Sequence, residues 1–262
     1  MAINVVVHGV LGRMGQEVLS MVSSEPDFSL IGGADAQAVY GELDLAGEDS
    51  PIPVARDLSD VASAGCVVVD FTNAEGAESA ITKAAPLGAN VVVGSTGISE
   101  RVMETAGTLA SEHNVGIVIA PNFALGAVVL THLTRIAAPF FDYADLTETH
   151  HEAKIDAPSG TAISIARAAA EGKGGVFEAP AAEKEIIEGT RGGEHDGVVI
   201  HSARMPGRVA HHEMVFGALG QTLTLRHDSI DRRSFMPGVA MAIRHAVATP
   251  GLVVGLENIL GL

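Results

Sequence analysis

One recurrence in the first half of the chain constrains its fold more than any other feature. Short runs rich in valine and isoleucine at residues 3–7, 28–32, 66–71, 91–93 and 117–119 alternate with segments of helical composition such as 14–24 and 75–85. Several of these runs are continuously apolar. A strand with one wet face alternates apolar and polar residues, whereas a continuous run is covered on both faces. Strands of that kind, separated by helices, build a doubly wound parallel sheet with right-handed crossovers and helices on both sides.

The pattern changes after about residue 122. Residues 125–141 read as a helix with Pro139 near its end, 144–151 as a strand and 161–171 as a helix. The Gly-, Glu- and Ala-rich stretch 172–197 reads as a long loop with some helix. Runs at 198–203, 213–216 and 222–226 suit antiparallel strands. A last helical region follows, with Ser229 or Asp231 as N-cap and a kink expected at Pro237-Gly238.

Composition narrows the classes of partner. With 47% hydrophobic residues the 262-residue chain can bury a sizeable core, built from Ala, Val, Leu and Ile because tryptophan is absent. The net charge of −16 repels phosphate backbones, so nucleic acid is not an expected partner. An anionic substrate would need a local cluster of cations or helix N-termini. The single cysteine, Cys66, allows no internal disulfide. No signal peptide or membrane-spanning run is legible, so the expected location is the cytoplasm.

The segment His8-Gly9-Val10-Leu11-Gly12-Arg13-Met14-Gly15 follows a strand and opens a helix. Glycines there permit a tight turn and close approach of a pyrophosphate to backbone N–H groups at the positive end of the helix. The spacing is Gly-x-x-Gly-x-x-Gly, and by itself such a segment is equally a turn without a ligand. Asp35 adds context: it ends the second strand, twenty positions after Gly15, where a carboxylate accepts hydrogen bonds from ribose hydroxyls. No Arg or Lys follows closely to hold a 2′-phosphate, which favours NADH. Gly94-Ser95-Thr96-Gly97 and Ala120-Pro121-Asn122-Phe123 end two further strands, on the edge where open α/β sheets bind ligands. Their composition is also that of ordinary turns.

The block from Glu148 to Ala162 gathers His150, His151, Lys154 and the helix start Ser159-Gly160-Thr161. Histidine exchanges protons near neutral pH. Lys154 can pair with a carboxylate or deliver a proton, and Ser159, Gly160 and Thr161 can bind an anion through hydroxyl and N–H groups. The set suits a small dicarboxylate that needs protonation. A metal is the competing reading of adjacent histidines, but no His-Glu-x-x-His spacing occurs, and neighbours on a strand point to opposite faces. No metal is expected. A purely structural role for the pair stays open on the motif alone. His113, His132, His195, His211 and His212 read as satisfied or solvated residues. Cys66 lies at an expected buried strand, which argues against thioester chemistry, and no Gly-x-Ser-x-Gly elbow is present.

Taken in order, these segments resemble the dihydrodipicolinate (4-hydroxy-tetrahydrodipicolinate) reductase family over nearly the whole chain. The Gly9–Gly15 segment with Arg13-Met14, the Phe71-Thr72 strand end, Gly94 to Gly97, Ala120 to Phe123, the His150 to Ala162 block and the tail from His212 to Phe235 carry the resemblance. The His-His-x-x-Lys-x-Asp-Ala-Pro-Ser-Gly-Thr-Ala block is its most specific part. The family implies a Rossmann-type dinucleotide-binding domain over residues 1–124, completed by 229–262. It implies an α+β domain with a mixed open sheet over 125–228 that binds substrate and builds a homotetramer. By the same resemblance His150 is the central proton donor or acceptor and Lys154 the second donor. His151, Gly160 and Thr161 bind substrate. Gly9, Val10, Leu11, Gly12, Arg13, Met14, Asp35, Gly94, Ser95, Thr96, Ala120, Pro121, Asn122 and Phe123 contact the cofactor, NADH or NADPH.

The implied reaction is hydride addition to a cyclic imine derived from 4-hydroxy-tetrahydrodipicolinate, in diaminopimelate and lysine biosynthesis. A conjugated imine takes hydride without a protein thiol and then needs an acid. Ser95 stands where the family often has threonine, and a hydroxyl is retained. Two other readings remain: another small-substrate Rossmann reductase, such as an amino-acid dehydrogenase, and a dinucleotide-sensing protein without catalysis. The first requires a different acid–base constellation, and the second leaves the His150 block without a purpose.

Overall fold

The computed structural model describes residues 2–39, 41–43 and 51–262. The chain forms two compact units, Met1–Phe123 with Phe235–Leu262, and Ala124–Ser234. In chain order the elements are β1 (Ile3–His8), α1 (Arg13–Ser24), β2 (Phe28–Ala34), β3 (Gly41–Leu43), β4 (Ile52–Ala55), β5 (Val67–Asp70), α2 (Ala74–Ala84), β6 (Asn90–Val93), α3 (Glu100–His113) and β7 (Gly116–Ile119). There follow α4 (Leu125–Ala137), β8 (Tyr143–His150), α5 (Gly160–Lys173), β9 (Gly193–His195), β10 (Val198–Arg204), β11 (Ala210–Ala218), β12 (Gln221–Ser229), α6 (Met236–Ala248), β13 (Gly251–Val254) and α7 (Leu256–Leu260).

The first unit holds a sheet of order β13-β7-β6-β5-β1-β2-β4-β3. Every neighbouring pair is parallel except β3 with β4. The continuous apolar runs behave as expected: all four residues of β5 and of β7 are buried, because both faces are covered. Local chemistry sets the helix ends. Asn73 and Ser99 cap α2 and α3 by accepting from Gly76 N and Val102 N, and Asn114 closes α3 in the left-handed region. The winding reverses at β1, which has β2 on one side and β5 on the other. The carboxyl ends of β1 and β5 therefore form the switch point where such sheets bind ligands.

The second unit holds a five-stranded sheet of order β12-β11-β8-β10-β9. One of its faces packs Leu146, Val198, Ile200, Met214 and Phe216 against Leu130 of α4 and Ala162, Ile165 and Ala169 of α5. The opposite face carries Asp145, Thr147, Thr149, Glu213, Thr224 and Arg226, half-buried or exposed.

Several expectations from local sequence need correction. The 198–203 run is not antiparallel to its central neighbour: β10 lies parallel to β8 and antiparallel only to β9. Among the described residues of 172–197, helix extends only to Lys173, where Gly174 closes α5. Pro237 does not kink the last helix, because it occupies the first turn of α6, where its missing N–H costs nothing. Asp231 accepts from Arg233 N and so opens the short turn Arg232–Phe235 rather than α6 itself. Helix α4 ends at Ala137, and Pro139 lies in the 3-10 turn Ala138–Phe140.

Candidate active site

In the first unit the glycine loop is shaped by contacts that admit no side chain. Gly9 has φ +85°, and a Cβ there would stand 2.9 Å from Phe71 O. A Cβ on Gly15 would fall 2.1 Å from Gly9 O, so the start of α1 can close on the loop only as glycine. Gly12 is the N-cap of α1 and places no side chain over its end. The first N–H groups of a helix have no intrahelical acceptor, which leaves Arg13 and Met14 suited to an anion. Asp35 is tied to the same loop: its carboxylate accepts from Leu11 N at 3.1 Å and from Gln37 N at 2.9 Å. The Leu11 N–H is thus engaged by Asp35, while the Leu11 side chain is exposed. An exposed helix start whose N-cap carries no side chain and a fixed carboxylate beside it fit a dinucleotide.

A fully buried carboxylate organises the rest of that edge. Asp70, the last residue of β5, receives His8 Nδ1 at 2.8 Å, Thr72 Oγ1 at 2.7 Å and Ser95 Oγ at 2.6 Å. Ser95 Oγ in turn accepts from Thr72 N at 2.9 Å. The Ser95 hydroxyl therefore joins the loops after β5 and β6 from inside. Gly94 is glycine because a Cβ would stand 2.1 Å from the Phe71 ring. That ring packs on Phe123, centroids 5.8 Å apart. Pro121 is exposed, Asn122 half-buried and Ala120 and Phe123 buried, so the two strand-end loops present different surfaces. Sequence reasoning gave Asp70 and His8 no role, although a charge closing an all-valine strand is a legible signal.

In the second unit the structure brings His150 together with the start of α5. His150 ends β8, is buried, and places its Nδ1 2.5 Å from Glu148 Oε2. Glu148 is fully buried; it also accepts Arg204 through both guanidinium nitrogens, at 2.9 and 2.8 Å, and Ser159 N at 3.2 Å. Ser159 caps α5 through Ala162 N, and its Oγ lies 3.2 Å from His212 Nε2. Ser159 is thus buried and engaged from within. Gly160 is exposed, with nothing within 4 Å of where a Cβ would stand. Thr161 and His151 are half-buried. Lys154 lies in the loop beyond His151, with Nζ 2.7 Å from Asp156 Oδ1. Glu148 heads the block singled out in the sequence but was given no role there, and Arg204 and His212 were not placed in this group. Arg204 and His212 are distant in sequence, and only strand pairing brings them here.

Charge inside this cluster follows from burial and pairing. Burial works against ionisation of Glu148, but hydrogen bonds from His150, Arg204 and Ser202 outweigh it and hold the carboxyl at about 2, below the ordinary 4.5. Burial and the neighbouring His150 push His212 down from 6.5 to about 3, so it is neutral in the working range. Burial also lowers His227 and raises the Cys66 thiol, which keeps that sulfur protonated. Among the described residues, no three His, Cys, Asp or Glu side chains converge in a metal-binding arrangement.

The sequence matches the profile of the dihydrodipicolinate reductase N-terminus over residues 3–123 and of its C-terminus over residues 126–260. The 4-hydroxy-tetrahydrodipicolinate reductase of Dehalococcoides mccartyi strain CBDB1 is 44% identical over 262 residues, spanning 99% of this chain and 99% of that protein. Its counterpart in Geobacillus kaustophilus strain HTA426 is 41% identical, over 99% of this chain and 100% of that protein. A dipicolinate-bound dihydrodipicolinate reductase from Paenisporosarcina sp. TG-14 superposes with a TM-score of 0.85 at 34% identity, covering 99% of this chain and 100% of that one. The amine dehydrogenase of Mycobacterium smegmatis covers 97% of this chain and 95% of its own, at a TM-score of 0.64 and 15% identity, and shares the fold alone.

The shifted groups dictate an acid-labile second unit. His212 is depressed when folded, so the unfolded chain binds its proton first. Its contribution is complete above pH 6.5 and is lost as pH falls towards about 3. Glu148 follows between about 4.5 and about 2. From pH 7 to pH 5 the denaturant-unfolding free energy should fall by on the order of 1–2 kcal/mol through His212. His212→Gln should flatten that decline. An unchanged decline in the variant would show that His212 is not the group responsible.

Proposed function

This chain belongs to the dihydrodipicolinate reductase family, and from that premise we propose that it carries out the NAD(P)H-dependent reduction of the imine derived from 4-hydroxy-tetrahydrodipicolinate. The product is tetrahydrodipicolinate, on the route to diaminopimelate and lysine. The observation that carries the reading is the pairing of two devices in one chain. The first unit has a glycine loop tied to Asp35. The second has an imidazole held by a buried carboxylate beside an exposed helix start.

The bound nicotinamide supplies the hydride. The first-turn N–H groups of Arg13 and Met14 would hold the pyrophosphate, Gly9, Val10 and Gly12 would shape the loop around it, their own N–H groups bonding Ala34 O and Gly9 O, and Asp35 would take ribose hydroxyls. The Leu11 side chain, Gly94, Ser95, Thr96 and the Ala120, Pro121, Asn122 and Phe123 segment would line the remainder, with Ser95 acting through the loop it fixes. On the substrate, Gly160, Thr161 and His151 would bind carboxylate, with Ser159 setting the helix start. The Paenisporosarcina relative holds dipicolinate, a ring dicarboxylate, which supports this ligand class. His150 Nε2 would exchange the proton that completes the reduction, and Lys154 would be the second donor after leaving Asp156.

Three finer points belong to the same proposal. NADH is the preferred cofactor and NADPH is also accepted, because Asp35 disfavours a 2′-phosphate while Arg13 stands in the loop. The protein acts in the cytoplasm; no helix among the described residues is long and apolar enough to cross a membrane. It works as a homotetramer joined through the second unit, whose sheet packs its own core on one face only.

Each point has an expected outcome. His150→Gln should lower kcat by about 10²–10⁴-fold in NADH oxidation with freshly generated imine, while NADH affinity measured by fluorescence stays nearly unchanged. Near-normal kcat would refute the role of His150. Asp35→Ser should weaken NADH binding more than NADPH binding, and equal losses would remove Asp35 as the ribose ligand. Sedimentation at micromolar protein should give a mass near four chains. A monomer would overturn the assembly.

A further inference from the structure

Behind His150 lies a set of buried groups that the reaction so far leaves without a part. Strand β8 is flanked by β10 and β11, with His150 in register with Arg204 and Glu148 with Ser202 and His212. Residues two apart on a strand share a face, so Glu148 and His150 stand side by side on the core face. The edge of His212 abuts His150, ring centroids 5.2 Å apart and planes at 77°. The imidazole is thus held from its own strand by Glu148 and abutted from β11 by His212, while Arg204 of β10 and the Ser159 N–H at the start of α5 hold Glu148 itself.

We propose that Glu148 is a positioning residue of the reaction: its carboxylate fixes the His150 proton on Nδ1 and leaves Nε2 as the nitrogen that exchanges a proton with substrate, and Arg204 locks Glu148 in that pose. The inference rests on the reading of His150 as the proton carrier. An ionised carboxylate can only accept hydrogen bonds, so a ring nitrogen 2.5 Å from Glu148 Oε2 must be the protonated one. The bidentate guanidinium and the Ser159 N–H engage both oxygens of Glu148 and keep it ionised in an apolar setting. His212 cannot substitute, because it is neutral and its Nε2 faces Ser159. Arg204 Nη2 further donates to Asp156 O at 2.6 Å, so the same cation tethers the loop that carries Lys154.

The test uses the full-length chain with NADH and the imine. Glu148→Gln removes the charge and leaves Arg204 unpaired. The pair Glu148→Leu with Arg204→Met replaces the buried ion pair by apolar side chains of similar size, an exchange that buried pairs often tolerate. Both variants should lose about 10²-fold in kcat, with NADH affinity within about twofold of the parent. Ring ¹⁵N spectra of histidine-labelled protein, with the His150 signals assigned by their loss in His150→Gln, should show the Nδ1–H form in the parent and its loss in the double variant. A folded double variant with kcat within about threefold of the parent, while His150→Gln is inactive, would overturn the role of Glu148 and leave that of His150 standing. An Nε2–H tautomer in the parent would overturn it regardless of how the variants fold. Normal turnover in His150→Gln would remove both.

Discussion

A carboxylate with no access to water has to be paid for by its neighbours, and in the second unit nearly every local choice serves that need. Glu148 sits on the face of β8 that packs on α4 and α5, where an unpaired charge would cost several kcal/mol. It is stable there because β10 runs parallel beside β8, in a register that sets Arg204 opposite His150 and within reach of both carboxylate oxygens. The chain enters α5 so that Ser159 N–H points at the same carboxylate. The imidazole, the helix start and the loop carrying Lys154 all take their places from this one buried anion.

The first unit solves a similar problem at the switch point of its parallel sheet. Asp70 closes an all-valine strand and is satisfied by His8, Thr72 and Ser95, which binds the loops after β1, β5 and β6 to one centre. Around it the backbone approaches so closely that glycine is the sole residue that fits. Gly15 against Gly9 O and Gly94 against the Phe71 ring are both instances of packing within the protein. A glycine fingerprint therefore reports first on how tightly a loop is folded, and only through that on a ligand.

Much of this was legible in the sequence. The continuous apolar runs gave the parallel sheet because burial on both faces leaves a mark in every residue of a strand. The block around His150 stood out because its proton carriers and helix start are contiguous. What escaped the reading was set by pairing: the direction of β10, whose residues alternate as an antiparallel strand's would, and the partners Arg204 and His212, which lie far along the chain. Ser95 and Ser159 were legible as polar residues near ligands, but their hydroxyls turn inward, to Asp70 and to α5 and His212. The kink expected at Pro237-Gly238 does not form, because a proline's consequence depends on where the helix begins, and α6 begins one residue before it.

The sequence by itself determined the class of fold, the residues able to carry protons and the loop able to hold a dinucleotide, because periodicity and contiguous side-chain chemistry are local properties. Only the tertiary structure decided which nitrogen of His150 faces a carboxylate, which carboxylates are buried and which hydroxyls are already engaged. Those depend on strand register and on the order of strands across each sheet. A shift of one residue in either neighbour of β8 would turn Arg204 or His212 to the opposite face and leave Glu148 without the partners that keep it charged.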